Sequence, residues 1–174
     1  MIISVEELKQ YISTTESDTV LEAKLQALES QIRAYTNNNF QKRVIRTECP
    51  VMTRKLYTDF EYFDVGDTVQ ISQSIFNDGL YTVTEKEGHF ITLSSMLMDE
   101  PEVLVTKVEY PMDVKMGVVN LLKWELENRD KAGIASETIS RHSVTYSDMN
   151  GENSTMGFPK ALMGFLTPYR KMRF

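Results

Sequence analysis

Apolar residues along the chain recur at a helical period, then at a strand period, and then at a helical period again. In the first helical region they fall at Leu21, Leu25, Leu28, Ile32 and Tyr35, in steps of four and three. That spacing puts them on one helical face, with Glu22, Lys24, Gln26, Glu29 and Arg33 largely off it. Ser17-Asp18 can cap this helix, and Asn37-Asn38-Asn39 stops it. Ahead of it, Ser4 followed by Glu7 is a capping-box pattern that predicts a helix opening at about Val5 and ending near Ser13.

From 43 to 110 the period shortens to two. Residues 44–47, 55–57, 69–72, 80–83, 90–93 and 103–108 are rich in β-branched and aromatic side chains and read as strands. Val65-Gly66-Asp67, Asn77-Asp78-Gly79 and Glu87-Gly88-His89 supply turns between them. A third helix is predicted from a cap at Asp113 to about Asn128. It carries Val114, Val118, Leu121, Leu122 and Glu125 on one face, Val119 and Leu126 beside it, and Trp124 widening the apolar surface. Ala132-Gly133 ends it. A short alternating segment follows, then the polar run 147–157, then a last amphipathic helix opened by Pro159 at or near its first position.

The predicted fold class is α+β. It comprises a small α-helical bundle (1–42 and 111–146), an inserted antiparallel β-sheet or barrel module (43–110), and a C-terminal strand-loop-helix arm whose tether and docking helix occupy 147–174. The expected helical core is Leu21, Leu25, Leu28, Ile32, Tyr35, Val118, Leu121 and Leu122.

Charge changes this picture at the C-terminal end. Residues 1–159 hold all 25 acids against 15 bases, whereas the remainder carries Lys160, Arg170, Lys171 and Arg173 and no acid. A cationic segment on an acidic body suits an acidic partner or a neighbouring copy of the same body. The predicted docking residues are Pro159, Leu162, Phe165, Leu166, Tyr169, Arg170, Lys171, Arg173 and Phe174. Ten methionines suit either adaptable contact surfaces or ordinary core filling.

Candidate chemistry is sparse. A single cysteine, Cys49, excludes an intrachain disulfide framework and reads as a small buried apolar side chain. Asp59, Glu61, Asp64 and Asp67 lack the glycine and bidentate glutamate of an EF-hand loop and read as a solvated acidic turn, as do Asp99, Glu100 and Glu102. His89 and His142 have no partner at metal-ligand spacing. Nucleophile-elbow, dinucleotide and phosphate-loop motifs are missing, so neither an enzyme nor a cofactor or metal site is expected. The acidic balance opposes the phosphate attraction behind non-specific nucleic-acid binding. With neither a signal-peptide pattern nor a long apolar run, the expectation is a soluble, intracellularly made protein with no membrane partner.

The order of elements resembles the phage head-tail connector (adaptor) family. The resemblance is carried by a short helix and a long one ending Ile32-Arg33-Ala34-Tyr35-Thr36-Asn37-Asn38-Asn39-Phe40, and by the helix around Val118. After it come Lys131-Ala132-Gly133-Ile134-Ala135-Ser136-Glu137-Thr138-Ile139-Ser140, then Ser143-Val144-Thr145-Tyr146, and finally Pro159 with a segment ending Leu166-Thr167-Pro168-Tyr169-Arg170. The insert departs from the compact family members, which are nearly all helical, and looks like small β modules found in several phage structural proteins. The resemblance implies a structural virion protein at the head-tail interface, assembled in the host cytoplasm. It would form a ring of about twelve copies that binds the portal protein and the tail or next head-completion protein, with DNA passing through its channel without sequence-specific binding. Ser143, Val144, Thr145 and Tyr146 would then form an intersubunit strand. Other readings of the residues are a different homo-oligomeric interaction module or a nucleic-acid-binding protein.

Overall fold

Ser4 and Ser17 open the first two helices in the same way. The Ser4 hydroxyl accepts from the Glu7 N–H at 3.1 Å and that of Ser17 from the Val20 N–H at 3.4 Å, each satisfying a donor that the first turn leaves free. Helix α1 spans Val5–Leu8 and α2 spans Asp18–Thr36. α1 is shorter than predicted because the bonding tightens after it, with the Gln10 N–H donating to Glu7 and the Tyr11 N–H to Leu8. α2 ends where expected: Asn37 takes the left-handed conformation at φ 49° and donates its N–H to the Arg33 carbonyl.

The computed structural model describes residues 1–59, 61–128, 136–139, 142–145 and 153–172, with 136–139 and 142–145 as backbone. Contacts divide the chain into two units, Met1–Asn38 with Tyr110–Phe174, and Asn39–Glu109. It is an α+β protein: helices in the first unit and a closed six-stranded antiparallel barrel in the second.

In the first unit, Leu21, Leu25, Leu28 and Ile32 of α2 are buried, as are Val118, Leu121 and Leu122 of α3 (Met112–Asn128). Each such side chain contributes about 1.5–3 kcal/mol by leaving water. Two stripe expectations need correction. Tyr35 is half-buried, its ring lying under the Arg170 guanidinium at 5.1 Å, and is not a core residue. Glu29, predicted off the stripe, is buried because its carboxylate accepts the Tyr110 hydroxyl at 2.7 Å and sits 3.4 Å from the Met1 amino group. Burial, and then the Glu29 charge, push the Tyr110 phenol pKa well up. α3 begins one residue before Asp113, with the Pro111 carbonyl accepting from the Lys115 N–H, so Asp113 lies within its first turn. Lys24 of α2 and Glu125 of α3 pair at 2.8 Å.

The second unit is built from β1 (Gln41–Met52), β2 (Lys55–Tyr57), β3 (Thr68–Ser72), β4 (Gly79–Glu87), β5 (Phe90–Leu93) and β6 (Glu100–Val108). Their spatial order is β1-β2-β5-β4-β3-β6, with β6 closing on β1 through pairs such as Arg46 with Thr106 and Cys49 with Val103. Closure removes the exposed edges an open sheet would leave. β1 runs through Pro50 by a register shift between Cys49 and Val51, which takes the proline, with no N–H to give, out of the ladder. Alternation fills the interior: Val69 and Ile71, Ile91 and Leu93, and Val103 and Val105 point inward with Leu56, Phe63 and Val83. The β4–β5 loop is Gly88-His89, with Gly88 at φ 56° as a glycine-first two-residue hairpin turn requires.

Antiparallel order puts the β1–β2, β3–β4 and β5–β6 connections at one end of the barrel. The chain enters and leaves at the other end, where Gln41 pairs with Val108 and the Glu109 N–H donates to the Phe40 carbonyl at 3.0 Å.

Candidate functional site

The C-terminal stretch, expected to be a free arm, is folded onto its own unit over the residues described. β9 (Ser154–Thr155) and β10 (Phe158–Pro159) form a hairpin whose two turn residues, Met156 and Gly157, both have positive φ. The predicted tether is therefore structured from 153 to 157; 147–152 lie outside the described residues. Phe158, 1% exposed, anchors the hairpin and meets the Trp124 ring edge-on at 5.6 Å.

The segment Lys160–Tyr169 is a 3-10 helix and not the predicted α-helix. Pro159 precedes it and Pro168 lies inside its last turn, where an α-helical proline would collide with the carbonyl four residues earlier. A period of three redistributes the apolar residues. Met163, Leu166 and Tyr169 share one row, with Met163 and Leu166 buried, while Leu162 and Phe165 share the next and are half-buried. Leu166, fully buried in its own unit, cannot serve as an exposed docking residue. Pro159 is half-buried, and the Tyr169 hydroxyl donates to the Asp113 carboxylate at 2.7 and 2.8 Å. That hydrogen bond, ahead of burial and the Asp113 charge, holds the Tyr169 phenol pKa up. Arg170 and Lys171 are exposed; Arg173 and Phe174 lie outside the described residues.

After Tyr169 the chain is clamped across the end of α2. The Lys171 N–H donates to the Thr36 carbonyl at 2.8 Å, Asn37 Nδ2 to the Met172 carbonyl at 2.8 Å, and Asn38 Nδ2 to the Tyr169 carbonyl at 3.2 Å. Two cations thereby sit at a helix C-terminus, where the backbone carbonyls favour them. Tyr35, Asn37, Arg170, Lys171 and Met172 line an open depression of about 570 Å3. Its chemistry is aromatic, apolar and cationic, and among the described residues neither Arg170 nor Lys171 has a carboxylate at ion-pair distance.

The predicted strand residues Ser143, Val144 and Thr145 belong to β8 (His142–Thr145), which pairs antiparallel with β7 (Ser136–Ile139) of the same chain; Tyr146 lies outside the described residues.

A second surface occupies the barrel end with the three connections, and there Glu100, expected with Asp99 and Glu102 in a solvated acidic turn, is buried while the other two are exposed. The buried Glu100 carboxylate accepts from the Ser74 hydroxyl (2.6 Å), the Ile75 and Phe76 N–H groups (2.9 and 3.0 Å) and Asn77 Nδ2 (2.7 Å). Burial pushes its pKa up, but these donors outweigh it and hold the carboxyl below the usual range. The buried Asn77 side chain also joins both backbone groups of Met98, tying the β3–β4 loop to the β5–β6 loop. The Asp99 carboxylate accepts the Arg54 N–H at 2.8 Å and so holds the β1–β2 turn as well. Ile75, Phe76, Met96 and Met98 are left exposed at 79, 61, 78 and 58%. A glutamate opening an apolar strand, opposite a Ser-x-x-Asn loop, was the available signal.

No protein-family model matches this chain, and no curated protein does. Cys49 is buried, which pushes its thiol up to about 11. His89 pairs with Asp59, both exposed, and Asp67 pairs with Lys107 at 2.6 Å. Among the described residues no three of His, Cys, Asp or Glu gather as a metal-holding group, and no helix is long and apolar enough to cross a membrane.

Proposed function

We propose that this chain is a structural virion protein of the head-tail connector type. About twelve copies would form a ring between the portal of a tailed-phage capsid and the tail or next head-completion protein, with DNA passing through the ring. The observation that carries this reading is the discontinuous unit Met1–Asn38 with Tyr110–Phe174. The segments that resemble the connector family come from both sides of the barrel, yet they belong to one unit. In this reading α1, α2 and α3 form the small helical bundle of a connector body, and the barrel is an insert carried by it.

Two further features support it. β7 and β8 form a two-stranded sheet, so each has an edge without a strand partner among the described residues, available to a neighbouring copy. The exposed Arg170 and Lys171 suit an acidic partner on a chain of net charge -6.

Electron microscopy of the purified chain, alone and mixed with portal protein, tests the proposal. Rings with an open channel that attach coaxially to the portal are expected. A chain that forms closed dimers and does not attach to the portal would be a different homo-oligomeric module.

A further inference from the structure

The two surfaces described above complement each other. The barrel end projects the apolar side chains Ile75, Phe76, Met96 and Met98 on loops fixed by Glu100 and Asn77. Exposed Asp78 and Asp99 flank them, and neither has an ion pair among the described residues. The unit that carries them, 39–109, has twelve acids against seven bases. The depression at the end of α2 offers an aromatic face in Tyr35, an exposed thioether in Met172, and the cations Arg170 and Lys171. Both are held by backbone and buried side-chain hydrogen bonds, so little ordering remains to be done on contact.

We infer that the barrel end of one copy seats in the α2-end depression of a second copy, with Phe76 and Ile75 against Tyr35 and Met172, and Asp78 and Asp99 facing Arg170 and Lys171. Arg54, whose guanidinium lies 3.3 Å from Met96 Sδ, remains at the rim. Two different faces meet in this contact, so it is heterologous and propagates from copy to copy until rotation closes it. It deepens the connector proposal, on which it rests for the ring and its copy number, by supplying one subunit contact. The apolar centre provides holding energy, while the charges set orientation and make association salt-dependent.

A heterologous contact has a mixing signature. Ile75→Ser with Phe76→Ser removes the barrel-end surface, and Arg170→Glu with Lys171→Glu removes the depression's charge; all four residues are exposed, so both variants keep the fold, which circular dichroism checks. Sedimentation over a concentration series should show the unaltered chain growing beyond a dimer, less so at high salt, and each variant alone remaining monomeric. A mixture of the two variants should form a one-to-one heterodimer and nothing larger, because one intact face remains on each. An unaltered chain that stays monomeric throughout, variants that associate like it, or a mixture that stays monomeric would each overturn the inference. Rings that form through this contact but ignore portal would leave it standing and sink the connector proposal instead.

Discussion

At the scale of single residues, packing is close where the 3-10 helix meets α3. A Cβ added at Gly117 would fall 2.4 Å from Cε2 of Phe165 and 2.5 Å from Cδ2 and Cζ. Alanine normally favours a helix interior over glycine by about 1 kcal/mol. Here that gain opposes an overpacking cost of about 1–3 kcal/mol, because the half-buried Phe165 ring, on a segment anchored by buried Met163 and Leu166, must shift to admit the methyl group. Gly117→Ala should therefore lower the unfolding free energy by up to about 2 kcal/mol in urea titration, yet raise it in a Phe165→Ala background where the obstruction is gone. A Gly117→Ala chain more stable than its parent would show that the contact is looser than the structure has it. None of this was legible in the sequence, where Gly117 is one small residue in a helical pattern and Phe165 falls on an apolar face. The capping residues Ser4, Ser17 and Asn37 were legible because their bonds are local. Glu29 was misplaced because its partner, Tyr110, is 81 residues away.

At the scale of elements, all six barrel strands were legible from strand-forming residues and the turn residues between them, with inward pairs such as Val69 and Ile71, Ile91 and Leu93, and Val103 and Val105 two apart. The ranges of β2 and β5 were legible to the residue, but the extents of β1, β4 and β6 were not, and closure was only one of two options. β1 continues past Thr47 to Met52 through a bulge at Pro50, and the β1–β6 seam joins strands at opposite ends of the module. The amphipathic C-terminal segment was legible but its helix type was not, and the type decides which residues face inward. The Glu100 cluster shows what a lone acid can do for such elements, since one carboxylate holds the whole β3–β4 loop, whose Asn77 then ties in the β5–β6 loop. Its folded-state carboxyl lies below the ordinary range, so the native protein keeps the charge where the unfolded chain takes up a proton. The stabilisation is complete above about pH 4.3, the ordinary glutamate value, and is lost as pH falls through the lowered one. Glu100→Gln, which sets an amide N–H2 among the Ile75 and Phe76 N–H groups and Asn77 Nδ2, none of which can accept from it, should lower the melting temperature at neutral pH. Melting curves from about pH 7 to about pH 3 should show the gap to the unaltered chain narrowing as the acid advantage is titrated away. A gap that stays constant with pH would mean that the charge contributes nothing.

At the scale of the whole molecule, the chain interrupts one unit to build another and then returns to finish the first. An insertion of this kind is tolerated when its ends meet, because the host then sees little more than a short connection. They do meet: Gln41 pairs with Val108, and Phe40 and Glu109 share a backbone hydrogen bond of 3.0 Å. The helical unit also buries its own apolar residues, from Leu21, Leu25 and Ile32 to Val118, Leu121, Leu122 and Leu166. Replacing 41–108 with a short glycine-serine connection should accordingly leave a chain that unfolds cooperatively and keeps its helical circular dichroism. Removing Phe158 to Tyr169 instead should abolish that transition, because Phe158, Met163 and Leu166 are part of the packing and not a detachable arm. The pair of deletions separates an insert from a structural tail. Loss of cooperative folding when the barrel is removed would mean that the helical unit depends on it, and a full transition without the C-terminal stretch would return that stretch to the role of a free arm.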